Sequence, residues 1–203
     1  MKHLKIFCLV AGVSFTTLLF SQDSIAVSIK NPVDSKELLQ LMQFEKIGYF
    51  NVLVEGTSLK SKRFRLISTE YWDKKLEKKD TLFESRLFGM AVKDSIFELR
   101  LMTKKTSSDS VKFQFFLANL SIDEVFRTTH SHEYSLRNIS NSRTVKHPIG
   151  QKITLFVYSL PYKDPDKPGY SFYCELSREG IPPEQWGEKF GVEHYIVFEI
   201  EFD

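Results

Sequence analysis

His194-Tyr195-Ile196-Val197-Phe198-Glu199-Ile200-Glu201-Phe202 runs almost to the end of the chain, and its period decides how the rest is read. His194, Ile196, Phe198, Ile200 and Phe202 share one face of an extended strand, while Tyr195, Glu199 and Glu201 share the other. Successive Cβ atoms in a pleated strand point to opposite faces, so alternation every second residue is the mark of a strand. A helix would scatter the same five side chains around its circumference.

The same alternation recurs upstream, over 49–55, 62–72, 95–103, 110–118, 152–160 and 170–176. Phe97, Leu99 and Leu101 share one face, as do Val111, Phe113, Phe115 and Leu117. Ile153, Leu155, Val157 and Ser159 do the same, and so do Tyr170, Phe172, Cys174 and Leu176. A further strand is predicted over 81–93, with Gly89 marking a bulge, and a short one over 134–139. With 18 Phe and 8 Tyr, the composition suits pleated, half-buried surfaces. Helical signals are few. Asp34 followed by Glu37 reads as a capping box, Leu38, Leu41 and Met42 as a helical stripe, and Gly48 as the stop, so a helix is predicted over 35–47. Ser121-Ile122-Asp123-Glu124 reads as a second capping box opening a turn or two, and Pro182-Pro183-Glu184 as the start of another short turn. The charged run 73–80 reads as a solvated loop. The fold class predicted is mainly β: an antiparallel sandwich or barrel-like domain with one N-terminal helix and one or two short helical turns.

The other end of the chain has a different character. Lys2 and Lys5 precede an uncharged apolar run from Ile6 to Phe20, and polar residues follow. This is the order of a secretory signal, and the run spans 15 positions where a membrane-crossing helix needs about 20. Residues 1–26 are therefore assigned to the signal and 27–203 to a single β-rich domain, with no transmembrane segment after cleavage. Small residues at Ser24 and Ala26 favour a cut after Ala26, with a cut after Ser21 as the alternative. Losing Lys2 and Lys5 brings the 28 basic residues into near balance with the 26 acidic ones. Such a surface lacks the basic excess of a nucleic-acid binder. Cys8 leaves with the signal, so Cys174 has no internal disulfide partner and reads as a small hydrophobe.

Three groups of residues are candidates for chemistry. His130, His132 and Glu133 form an H-x-H-E run; on a strand both imidazoles would share a face and begin a metal site, although no zinc signature is complete. The alternative is a polar loop that contains two histidines. Trp186 lies in a loop with Arg178 and Glu184, where it either stacks on a sugar or a protein partner or closes the end of the core. Tyr162 and Tyr170 belong to the adjacent loop, as further ligand-binding candidates or as rim tyrosines. No nucleophile elbow or phosphate-binding glycine motif is present, and the residues imply no cofactor.

Leu18-Leu19-Phe20-Ser21-Gln22 resembles the signal ending of Bacteroides-type Gram-negative bacteria. The runs 158–165 and 176–184 are similar to uncharacterised exported proteins of those bacteria, a resemblance covering the last third of the chain. It implies a compartment, the periplasm or cell surface, and no mechanism. The function expected is a non-enzymatic envelope module that binds a glycan or a protein. Its alternatives are a metal-dependent hydrolase built on His130, His132 and Glu133, and a structural subunit of an envelope assembly.

Overall fold

Strands with one apolar face must cover it, and here two antiparallel sheets cover each other. In the computed structural model, which describes residues 24–138, 145–163, 171–173 and 181–203, the first sheet has six strands. They are β1 (Ser24–Lys30), β2 (Gly48–Glu55), β5 (Ile96–Lys105), β6 (Ser110–Leu117), β7 (Leu120–Arg127) and β9 (Val145–Pro148), in the order β7-β6-β5-β2-β1-β9. The second sheet has five: β3 (Phe64–Trp72), β4 (Lys75–Glu84), β8 (Ser135–Asn138), β10 (Ile153–Ser159) and β13 (His194–Phe202), in the order β4-β3-β13-β10-β8. A two-stranded ribbon joins β11 (Tyr162–Lys163) to β12 (Ser171–Phe172). The molecule is a mainly β, sandwich-like fold and not a closed barrel.

The inner faces are those that the alternation marks. Phe97, Leu99 and Leu101 of β5 and the four marked residues of β6 are buried against Ile196, Phe198, Ile200 and Phe202 of β13. Phenylalanine rings mesh edge to face across the gap, as Phe97 does with Phe202 and Phe115 with Phe198. β13 is buried on its outer face as well. The short helix α2 (Trp186–Phe190), preceded by a 3₁₀ turn at Pro183–Gln185, lies over that face. Trp186 packs there with Tyr71, Val157, Tyr195 and Val197, fully buried, its indole N–H donated to the Ile181 carbonyl at 3.1 Å. Gly187 permits the close approach, since a Cβ at that position would come within 2.7 Å of the Lys74 backbone. Trp186 thus closes a core, the second of its two readings.

Several local expectations change. The helix α1 (Lys36–Phe44) is capped by Ser35 and not by Asp34: Ser35 Oγ accepts the Leu38 N–H at 3.2 Å. Met42 alone of its apolar stripe is buried, while Leu38 and Leu41 are exposed. The left-handed residue after this helix is Lys46, and Gly48 instead begins β2. The charged run 73–80 is not a loop. Asp73 and Lys74 both take positive φ in a two-residue turn, and β4 follows it, pairing with β3 as an edge strand. Its lysines face water and guard the open edge against pairing with other strands. The strand predicted over 81–93 stops at Glu84, where a 3₁₀ turn at Ser85–Phe88 ends on Gly89 in the left-handed conformation. Ser121–Glu124 opens no helix: Ala118 at φ 44° turns the chain, and β7 pairs with β6 along its whole length. In β10 a register shift between Thr154 and Phe156 sends Phe156 and Tyr158 into the main core and Val157 under Trp186, so the four residues 153, 155, 157 and 159 do not keep one face.

β1 lies between β2 and β9, and Ile25 is 1% exposed. A cut after Ala26 would remove Ser24, Ile25 and Ala26 from this strand, whereas a cut after Ser21 leaves it whole. Ile25→Ala is expected to lower unfolding free energy by about 2–5 kcal/mol. In urea denaturation, a chain beginning at Val27 is expected to unfold at lower concentration than one beginning at Gln22; equal midpoints would contradict this role for β1.

Candidate functional site

The site begins with polar residues on a face that should be apolar. The period that buries Ile196 and Phe198 also buries His194, which has no exposure. In the register of β3 with β13, His194 lies opposite Trp72 and Ile196 opposite Glu70, so Glu70 and Trp72 reach the same end of the sandwich. His194 Nε2 lies 3.3 Å from Glu70 Oε1, and Trp72 donates its indole N–H to the same oxygen at 2.5 Å. The Trp72 ring stacks on the imidazole at a centroid distance of 3.9 Å, and the Arg127 guanidinium lies over the outer side of Trp72 at 5.3 Å. Burial works against the charged form of Glu70, but the hydrogen bonds from His194 and Trp72 outweigh it and hold the carboxyl below its usual pKa.

The second nitrogen, His194 Nδ1, bonds the Tyr134 hydroxyl at 2.5 Å. That hydroxyl also accepts the Thr129 backbone N–H at 3.1 Å. Glu70, held as a carboxylate, can only accept, so the imidazole proton lies on Nε2 facing it, and the Tyr134 hydroxyl directs its own proton at Nδ1. Every donor along Thr129, Tyr134, His194, Glu70 and Trp72 then has an acceptor. Burial pushes the Tyr134 phenol up, which keeps it a donor across the neutral range.

This chain of bonds pins the loop 128–134 that follows β7. Lys105 at the end of β5 holds the same loop from another side: its ammonium donates to the carbonyls of Thr129 at 3.2 Å, Ser131 at 2.8 Å and Ser108 at 3.0 Å. Within the loop, Thr129 Oγ1 accepts the Ser131 N–H and Ser131 Oγ accepts the Glu133 N–H, as hydroxyls do in tight turns. The loop thereby becomes a wall between two cavities. Thr129, Ser131 and Glu133 line a cleft of about 440 Å³, while His132 and Tyr134 line another of about 290 Å³ on the reverse side.

The larger cleft has an aromatic wall and polar margins. Tyr162 packs on Phe190 at 5.4 Å and on Phe172 at 6.0 Å between centroids. Lys163, Lys189, Glu133 and Glu193 all belong to its lining, and Ser171 donates to Glu133 at 3.5 Å. Of the residues singled out in the sequence, the cleft therefore joins Tyr162 with Glu133. It does not include Trp186, which is buried elsewhere, or Glu184, which is exposed on the 3₁₀ turn. Tyr170 and Arg178 lie outside the described residues. His130, His132 and Glu133 are exposed and lie on a loop, not on a strand, which removes the premise that both imidazoles share a strand face. His132 and Glu133 border different cavities, and among the described residues no three His, Cys, Asp or Glu side chains are placed to hold a metal ion.

Sequence reasoning missed Glu70 and Tyr134. The signal for Glu70 was its parity with Phe64, Leu66 and Ser68 on the face assigned to the interior. Tyr134 arrives from a loop and carried no such mark. The chain matches no known protein family, no curated protein and no solved structure.

Glu70, with its depressed pKa, contributes stability that is complete above the ordinary value of 4.5 and is lost as pH falls through the lower folded value. Glu70→Gln is expected to flatten that acid limb in urea melts recorded against pH. Tyr134→Phe strips the acceptor from Thr129 and the partner from Nδ1, and is expected to cost about 1–3 kcal/mol at neutral pH. A Glu70→Gln acid limb as steep as that of the unaltered chain would contradict the assignment.

Proposed function

We propose that this chain is an exported, non-enzymatic binding module of the cell envelope, and that its ligand is a short neutral glycan held in the cleft beside Tyr162. The observation that carries the reading is the lining of that cleft. Tyr162 and Phe190 line it with aromatic surface suited to the apolar face of a sugar, while Glu133, Lys163, Lys189, Ser131 and Thr129 line it with acceptors and donors suited to its hydroxyls. Two lysines against two glutamates leave the cleft without excess charge, which suits an uncharged ligand better than an anion or a cation.

Preorganisation supports the same reading. Binding free energy is lost when loops must be ordered on contact. Here one wall is already tied down at Thr129 and Ser131 by Lys105, and at Tyr134 by His194. Export is supported by the leader-like start of the chain, and no helix among the described residues is long and apolar enough to cross a membrane.

A panel of immobilised envelope and dietary glycans, followed by calorimetry on whatever binds, tests the proposal. Tyr162→Ala is expected to weaken the best glycan about tenfold or more, in the range of a central aromatic contact. Trp186→Phe, altered in the core, is expected to leave the affinity unchanged in the folded variant. A panel with no binder, or a binder indifferent to Tyr162→Ala, would sink the reading.

A further inference from the structure

The reverse side of the wall has a different chemistry from the cleft. The cavity of about 290 Å³ lies between α1, the start of β2, the end of β5 and the start of β8. Its apolar lining includes Met42, Ile47, Phe50 and Leu136. Its charged lining is of one sign: Lys46, Lys104 and Lys105, with His132 and no carboxylate. In a chain whose acidic and basic residues nearly balance, that is a local imbalance, and the other cleft does not share it.

These cations are differently engaged. Lys105 spends its three donors on loop carbonyls, so it supplies field and not a bond. Lys104 is paired with Glu45 at 2.6 Å. Lys46 makes no ion pair among the described residues. It also sits at φ 53°, the left-handed position after a helix where glycine fits best, so the backbone gains nothing from a lysine there.

We propose that this cavity is a second binding site, for a small amphiphilic anion: a carboxylate or sulfate on a short apolar body, its head between Lys46 and Lys104 and its tail against Met42 and Phe50. Its volume is at the lower end of ligand cavities, which limits the body to a short chain or a single ring. The site is independent of the glycan reading, since the side chains that would hold the anion lie on the other face of the wall.

Titration of ¹⁵N-labelled protein with hexanoate, 1-hexanol and acetate at low ionic strength tests it. Hexanoate is expected to shift the amides of Lys46 to Phe50 and His132 to Leu136, and to bind more tightly than either comparison compound. Lys46→Met is expected to weaken hexanoate roughly three- to fivefold, and the double variant with Lys104→Met about tenfold, as for exposed charge pairs. Glu45→Gln releases Lys104 and is expected to tighten it. Lys46→Gly is expected to weaken binding like Lys46→Met while raising the unfolding midpoint, which separates the charge from the backbone. Tyr162→Ala is expected to leave hexanoate affinity unchanged. Equal affinity for hexanoate and hexanol, shifts elsewhere or nowhere, or indifference to both lysine variants would overturn the proposal.

Discussion

A histidine removed from water must find a partner for each ring nitrogen or lose the hydrogen bonds that water would have supplied. His194 lies on the inner face of β13 because the strand's period puts it there, and the architecture around it answers that demand. Glu70 comes from the neighbouring strand in register, and Tyr134 comes from the loop after β7. One consequence is structural: three segments distant in sequence are tied at a single end of the sandwich. The other is functional, because the Tyr134 hydroxyl reaches past His194 to the Thr129 backbone and so fixes the loop that both cavities share.

That loop explains how one short segment serves two environments. From Ser131 to Tyr134 successive side chains border different cavities. Thr129, Ser131 and Glu133 go to the cleft with aromatic rings and balanced charge, while His132 and Tyr134 go to the cavity with lysines and an apolar floor. The H-x-H-E run, attractive as a ligand set in the sequence, is split on this loop, where His132 and Glu133 border different cavities. His130 lines neither cavity, and among the described residues no three His, Cys, Asp or Glu side chains converge on one centre.

Much of the fold was legible because burial leaves a period. β5, β6 and β13 each hide one face against the other sheet, and their phenylalanines alternate accordingly. Where burial does not discriminate between faces, the period disappears. β4 is an edge strand whose first half is exposed on both sides, so its lysines and acids read as loop. The turns flanking β4 and β7 are made by Asp73-Lys74 and by Ala118, residues that carry no glycine signal for positive φ. β10 shifts phase at a bulge, which no pattern of apolar residues announces. For the site, Glu70 and His194 had the right parity, but their meeting depends on strand register. Tyr134 and Lys105 act through a loop whose path is set by tertiary hydrogen bonds. Trp186 looked like a loop aromatic because the sequence shows the loop and not the strand face beneath it.

The pinned wall depends on the Thr129 amide being held by the Tyr134 hydroxyl, while the amides of Ser131 and Glu133 bond only to local side chains. Residue-resolved amide hydrogen exchange of the native protein measures this directly. Thr129 is predicted to exchange slowly, through the same opening that exposes β13, with Ser131 and Glu133 exchanging much faster. A Thr129 amide that exchanges as fast as its two neighbours would contradict the pinned wall and, with it, the preformed cleft.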